Sequence, residues 1–235
     1  MRTTRKILSR RDIIKLSPLI LLAGCDATPQ GKTESFLRGF QKFNDWFQAR
    51  VFDPDHLARE YTEQELTPID GFRINDKDDE SPDIDMDNWS LSVEGLVAKP
   101  GSYGLKEIAS LPKRVMNTRH CCVEGWSMIP RWGGTPLHQF LAYVGADPRA
   151  KYVGIGCADD YTTSYDMPSA LHRQTLLCYE AYDKPLTPEH GAPLRVVIPT
   201  KLGYKSAKWV QKLTVTNEMP GGYWEDQGYD WFAGI

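Results

Sequence analysis

From Glu34 onward the apolar positions Phe36, Phe40, Phe43, Phe47 and Val51 recur at intervals of three and four residues. That spacing predicts an amphipathic helix packed on a domain, because it places the apolar side chains on one face. Residues 70–87 break the pattern. They hold eight acids, Asp70, Asp76, Asp78, Asp79, Glu80, Asp83, Asp85 and Asp87, among few apolar side chains, and predict an exposed loop. The acid spacing and central glycine of an EF-hand are missing, so a calcium loop is not indicated. From Trp89 the chain alternates: Trp89–Val97 reads apolar, polar, apolar, as a half-buried strand does. Tyr152–Ile155, Leu194–Ile198 and Trp209–Val215 are further strand candidates, and Leu105–Ser110 and Leu137–Val144 suit short helices. Strands dominate without a regular βαβ alternation, which predicts the α+β class with mixed β-sheets.

The N-terminus has a different pattern. Arg2, Arg5, Lys6, Arg10, Arg11 and Lys15 precede a short apolar run, Leu16 to Ala23. The run is shorter than the ~20 residues that span a bilayer and reads as a signal peptide. Ser9-Arg10-Arg11-Asp12-Ile13-Ile14-Lys15 resembles a twin-arginine export motif, an address for proteins exported already folded. Leu22-Ala23-Gly24-Cys25 resembles a bacterial lipobox, in which Cys25 is the lipidation site, and Asp26 resembles an inner-membrane retention signal. The expected organisation is a twin-arginine lipoprotein signal peptide over 1–24 and a lipid tether with the amphipathic helix over 25–60. One domain then fills 61–235. The small polar residues 26–33 suit the tether. The expected location is the periplasmic face of the inner membrane, reached by a lipid anchor only.

Composition is that of an ordinary globular protein, 41% hydrophobic and 25% charged, and 235 residues suffice for one well-buried domain. Removing residues 1–24 takes away six basic groups and one acid and moves the net charge from −3 to −8. An acidic protein of this kind is no candidate for nucleic-acid binding. Cys121, Cys122, Cys157 and Cys178 remain after the lipobox cysteine. No CxxC or CxxCH spacing occurs, so neither a zinc cluster nor c-type haem is indicated.

Chemistry concentrates in Asn117-Thr118-Arg119-His120-Cys121-Cys122-Val123-Glu124-Gly125-Trp126-Ser127, followed by Arg131-Trp132-Gly133-Gly134. A thiol beside Arg119 and His120 is expected to have a lowered pKa. Such a thiolate suits a redox role, nucleophilic catalysis or ligation of a thiophilic metal. A buried structural cysteine is the fourth reading.

The run Cys122-Val123-Glu124-Gly125-Trp126-Ser127 with Trp132-Gly133-Gly134 resembles the sulfite-oxidase-fold molybdopterin enzymes, in the bacterial branch that holds the periplasmic methionine sulfoxide reductases. The resemblance extends over roughly residues 66–235. It implies that Cys122, rather than Cys121, ligates molybdenum in a molybdenum-molybdopterin cofactor. Gly71-Phe72-Arg73-Ile74-Asn75-Asp76 resembles the segment lining the pterin, with Gly71 and Asp76 where the family carries Phe and His, and so implicates Phe72, Arg73 and Asn75. The runs from His190 to Pro199 and from Gly203 to Trp209 resemble those that hold the pyran and phosphate end, which implicates His190, Arg195, Ser206, Ala207 and Lys208. Arginine offers phosphate a planar fork, lysines add point charge, and small residues admit backbone N–H groups. The resemblance implies that Tyr161 or Tyr165 donates a hydrogen bond near the metal, with a buried tyrosine satisfying its hydroxyl elsewhere as the alternative. Pro220–Glu225 with Tyr229 is expected only to pack aromatics over the core.

The implied activity is two-electron oxygen-atom transfer, with reduction of an S-oxide or N-oxide preferred. Sulfite oxidation is the alternative, and it generally requires several arginines at the metal. A metal-free lipoprotein binding module is the rival of another class. The expected electron partner is a separate membrane haem b protein or cytochrome c. With no sulfite-oxidase-type dimerisation segment after residue 235, a monomer is expected.

Overall fold

The structure is a computed structural model describing residues 32–77 and 81–235. The signal peptide, the lipobox with Cys25 and most of the tether lie outside the described residues. The described residues fall into two units, one ending at Phe43 and the other spanning Asn44–Ile235. The first helix, α1 (Lys32–Val51), begins inside the stretch expected as tether. Its last two turns belong to the second unit and are tied there by polar side chains. The Asp45 carboxylate accepts the Phe232 N–H at 2.8 Å, and Gln48 bonds Asp230 at 2.6 Å and the Gly234 N–H at 3.0 Å. Phe47 and Val51 of the predicted packing face stay about half exposed.

In the second unit one five-stranded sheet runs in the order β2 (Gly101–Gly104), β1 (Ser90–Gly95), β12 (Val210–Thr216), β7 (Tyr152–Cys157), β8 (Thr162–Asp166). β1 and β12 are parallel and the other pairs antiparallel. The alternation read from Trp89 onward is realised: Leu91 and Val93 are buried and Ser92 between them is exposed. A second sheet runs β10 (Lys184–Pro185), β9 (Leu176–Ala181), β6 (Arg131–Pro136), β3 (Arg114–Asn117), with β11 (Arg195–Val197) also paired to β9. Successive residues of β9 and β11 enter different apolar clusters. Leu177, Tyr179 and Val196 join the large core, whereas Leu176, Cys178 and Val197 pack with Phe72 and Trp132. Burial on both faces is why Leu194–Ile198 reads as a continuous apolar run.

The helices α2 (Leu105–Ala109) and α3 (Leu137–Tyr143) fall where predicted. Short helices α4 (Met167–Leu171) and α5 (Tyr223–Asp226) were not anticipated, nor were strands β3, β6, β8 and β9. β6 contains Gly-Gly and Pro, which read as a turn. β8 is polar because its buried hydroxyls have partners: Thr163 donates to Glu225 at 2.6 Å and Ser164 to the Gly221 carbonyl at 2.6 Å. The two-stranded hairpin of β4 (His120–Cys121) and β5 (Ser127–Met128) carries the cysteine pair. Among the described residues all four cysteines are free thiols.

Candidate functional site

The hairpin between β4 and β5 closes on two backbone bonds, Cys122 N–H to Trp126 O at 2.9 Å and Gly125 N–H to Cys122 O at 3.1 Å. Gly125 supplies the positive φ of +89° that the tight turn requires. The turn presents Cys122, Val123, Glu124 and Trp126 to a cavity of about 290 Å³, near the lower end of small-molecule sites. Cys121, one residue earlier on the pleat, does not line it. The opposite side comes from Arg195 of β11 and from residues 203–209, which include a 3-10 turn at Gly203–Lys205. Close approach is built in there: a Cβ on Gly203 would lie 2.7 Å from His120 Nε2.

Charge in the cavity is distributed unevenly. Arg195 is 5% exposed and gives one N–H to the His190 carbonyl at 2.9 Å and another to Ser206 O at 3.3 Å. Its Nε has no protein partner, and burial lowers its pKa to about 10. Lys208 pairs with Asp76, donates to Glu189 O at 3.0 Å and lies 4.2 Å over the Trp209 ring. Burial draws its ammonium down to about 7. Asn75 Nδ2 reaches Cys122 Sγ at 3.7 Å.

The lowered thiol pKa expected for Cys122 is not found. Burial pushes it up, the backbone N–H of Glu124 opposes this, and the Glu124 carboxylate adds to the rise. Neither neighbouring cation acts as expected. Arg119 lies 5.3 Å over the Tyr61 ring, and His120 is buried and held neutral, at about 3, by desolvation and by Arg195. A thiol in this setting would serve as a metal ligand only by releasing its proton to solvent or a base as the metal bound.

Other anticipated residues divide into three groups. Asn75, Cys122, Tyr161, Arg195, Ser206, Ala207 and Lys208 come together around the cavity. Phe72 and His190 stand outside its lining, stacked on each other at 3.8 Å, with His190 Nε2 3.4 Å from Phe72 O. Arg73 is on the surface, 5.3 Å over the Trp126 ring. Tyr161 gives its one hydroxyl hydrogen to Tyr204 O at 2.6 Å, so as a donor toward the cavity it must first break that bond. The first lysine of Lys205-Ser206-Ala207-Lys208 supplies no charge to the cavity. Lys205 is 1% exposed and paired with Glu225, itself 3% exposed. The closing aromatic segment does more than pack, since Trp224 and Tyr229 line the cavity. Their role was legible only as an aromatic cluster without a place.

A family model described as "Oxidoreductase molybdopterin binding domain" matches residues 79–224. The chain belongs to this family. Among curated relatives it is 47% identical to an Azospira oryzae protein named as protein-methionine-sulfoxide reductase subunit YedZ1, over 93% of this chain and 84% of that protein. It is 30% identical to the protein-methionine-sulfoxide reductase catalytic subunit MsrP of Xanthomonas campestris, over 95% of this chain and 74% of that one. Among solved structures it is similar to the sulfane dehydrogenase SoxCD from Paracoccus pantotrophus, with a TM-score of 0.55 at 22% identity. That match covers 59% of this chain and 40% of the SoxCD chain and speaks for the fold alone. The chain is thus a molybdopterin-dependent oxidoreductase of the α+β, sulfite-oxidase type. The cavity fits such a cofactor. It combines a soft sulfur donor with a buried guanidinium that has an N–H to spare, an ammonium, and small residues at Ser206 and Ala207.

Proposed function

We propose that this molybdopterin enzyme reduces an S-oxide, with N-oxides as the related substrate class, at a molybdenum ligated by Cys122. The observation that carries the reading is the placing of Cys122, and not Cys121, on the wall of the cavity that also holds Arg195 and Lys208. The names of the YedZ1 and MsrP relatives support the substrate class. When bound, the molybdenum cofactor supplies two-electron oxygen-atom transfer chemistry.

The chain's own residues do the rest. Arg195, Ser206, Ala207 and Lys208 hold the phosphate end, and Phe72 with His190 backs the pterin from outside the cavity lining. Asn75 donates to the Cys122 sulfur and steadies it in one position. Glu124 Oε2 accepts the Trp126 indole N–H at 2.8 Å, which fixes that carboxylate on the turn beside Cys122. Trp126, Trp209 and Trp224 exclude water from the walls. Arg195 is the one arginine among the described lining residues, which weighs against the arginine-rich anion site of sulfite oxidation.

By the same reading the protein sits at the periplasmic face of the inner membrane through a lipid on Cys25 and receives electrons from a separate membrane haem b protein or cytochrome c. Its support is the twin-arginine and lipobox motifs. Among the described residues no helix is long and apolar enough to cross a membrane.

A substrate panel on natively exported protein tests the function: methionine sulfoxide, trimethylamine N-oxide and nitrate with a dye donor, against sulfite with a dye acceptor. Turnover of sulfite alone would overturn the reductase reading. Molybdenum far below one equivalent per chain would overturn the metal.

A further inference from the structure

Three consecutive side chains of the segment 73–77 touch three different walls of the cavity. Asn75 reaches Cys122 Sγ, Asp76 pairs with Lys208, and Lys77 Nζ donates to Asp159 O at 2.8 Å while lying 5.0 Å over the Tyr223 ring. The segment is anchored at its start by Phe72, which is buried against His190, Trp132 and Tyr182. Arg73, Ile74 and Asn75 are exposed, whereas the Asp76 side chain is 5% exposed and turned inward.

This inward carboxylate is placed awkwardly for an anion site. Lys208 is itself 12% exposed, and an ammonium buried to that degree is costly without a counter-charge. Asp76 supplies the charge. If Lys208 also receives the phosphate of the cofactor, as the proposed function has it, carboxylate and phosphate compete for one ammonium and repel each other there. A phosphate monoester brings more negative charge and more acceptor oxygens than a carboxylate. Turning Asp76 outward gives up its pairing with Lys208, while Asn75 and Lys77 hold the strap's other two contacts.

We propose that Asp76 is an internal counter-ion that occupies Lys208 until a phosphate monoester displaces it, releasing the strap 73–77 from that wall. The strap is then the loading gate of the cofactor site, and the acid at position 76 sets how readily the site accepts its anion. This inference rests on the phosphate assignment of Lys208.

Calorimetric titration of the full chain, produced without cofactor, with inorganic phosphate tests both layers. Asp76→Asn is expected to bind phosphate about tenfold tighter than wild type, the exchange value of one charge-assisted hydrogen bond. Adding Lys208→Gln is expected to remove the gain. Equal affinity of wild type and Asp76→Asn, with Lys208→Gln still weakening both, overturns the counter-ion and leaves the phosphate assignment standing. Unchanged affinity on adding Lys208→Gln to Asp76→Asn overturns the phosphate assignment itself. Amide hydrogen exchange in the unmutated chain is an independent check. Saturating phosphate is expected to speed exchange in residues 73–77, and unchanged or slower exchange there overturns the gate.

Discussion

Replacing Glu225 by Ala removes the counter-charge of the most deeply buried cation at the site. Lys205 Nζ and Glu225 Oε1 are 2.5 Å apart, with side-chain exposures of 1% and 3%. The same oxygen accepts the Thr163 hydroxyl at 2.6 Å. Without Glu225 the ammonium keeps the faces of Tyr165 and Trp231, with ring centroids at 5.7 and 5.5 Å, and the weaker attraction of the Asp45 and Asp166 carboxylates. Breaking a buried pair costs about 3–5 kcal/mol, and the stranded threonine adds about 1 kcal/mol. The two aromatic faces return roughly 1–2 kcal/mol. The net loss is about 3 kcal/mol, or roughly 6–12 °C in Tm for a domain of this size. Urea unfolding followed by tryptophan fluorescence measures it, provided the m-value holds. The double variant Lys205→Met, Glu225→Leu removes both charges and is expected within about 1 kcal/mol of wild type. A loss below about 1 kcal/mol in Glu225→Ala, or a double variant less stable than either single one, would refute the reasoning. The effect also reaches the site, because Lys205 ends the turn that leads into Ser206 and Ala207, and Tyr165 donates to its carbonyl.

Gly203→Ala places a methyl 2.7 Å from His120 Nε2 and is expected to displace the hairpin, costing about 1–3 kcal/mol and lowering cofactor content in elemental analysis; full molybdenum loading would count against it. Lys201 is 3% exposed with no hydrogen-bond partner for Nζ, and burial lowers its pKa to about 7, with Asp166 opposing. The unfolded chain holds that proton up to about pH 10.5, so the wild type gains stability as pH rises from 7 toward 10. Lys201→Met is expected to flatten this slope and to stabilise the protein at pH 6, and a slope unchanged in urea titrations would exclude Lys201 as its source. Cys122→Ser is expected to lose or alter the Mo(V) spin-resonance couplings while Cys121→Ser keeps them; the reverse pattern transfers the ligand to Cys121.

The α+β class, the two helices after β2 and β6 and the strands at residues 90, 152, 195 and 210 are local properties of the chain. Side-chain alternation and short apolar runs specify them before any long-range contact forms. Cys122, Arg195 and the small residues 206–207 were legible as well, because their chemistry is unusual at that spacing. Strands β6 and β8 were not, since Gly-Gly-Thr-Pro and Thr-Thr-Ser become strands only when paired with β9 and β7. The electrostatics of the site belong to the same class of fact. Arg119 and His120 adjoin the thiol in sequence, yet one is drawn off to Tyr61 and the other is neutralised by burial. Lys205 and Lys208 look equivalent in the chain, and only their partners, Glu225 and Asp76, separate a structural ion pair from a cation at the cavity. Residue type sets what a group can do, but desolvation and the nearest charge decide whether it does so, and both come from segments distant in sequence.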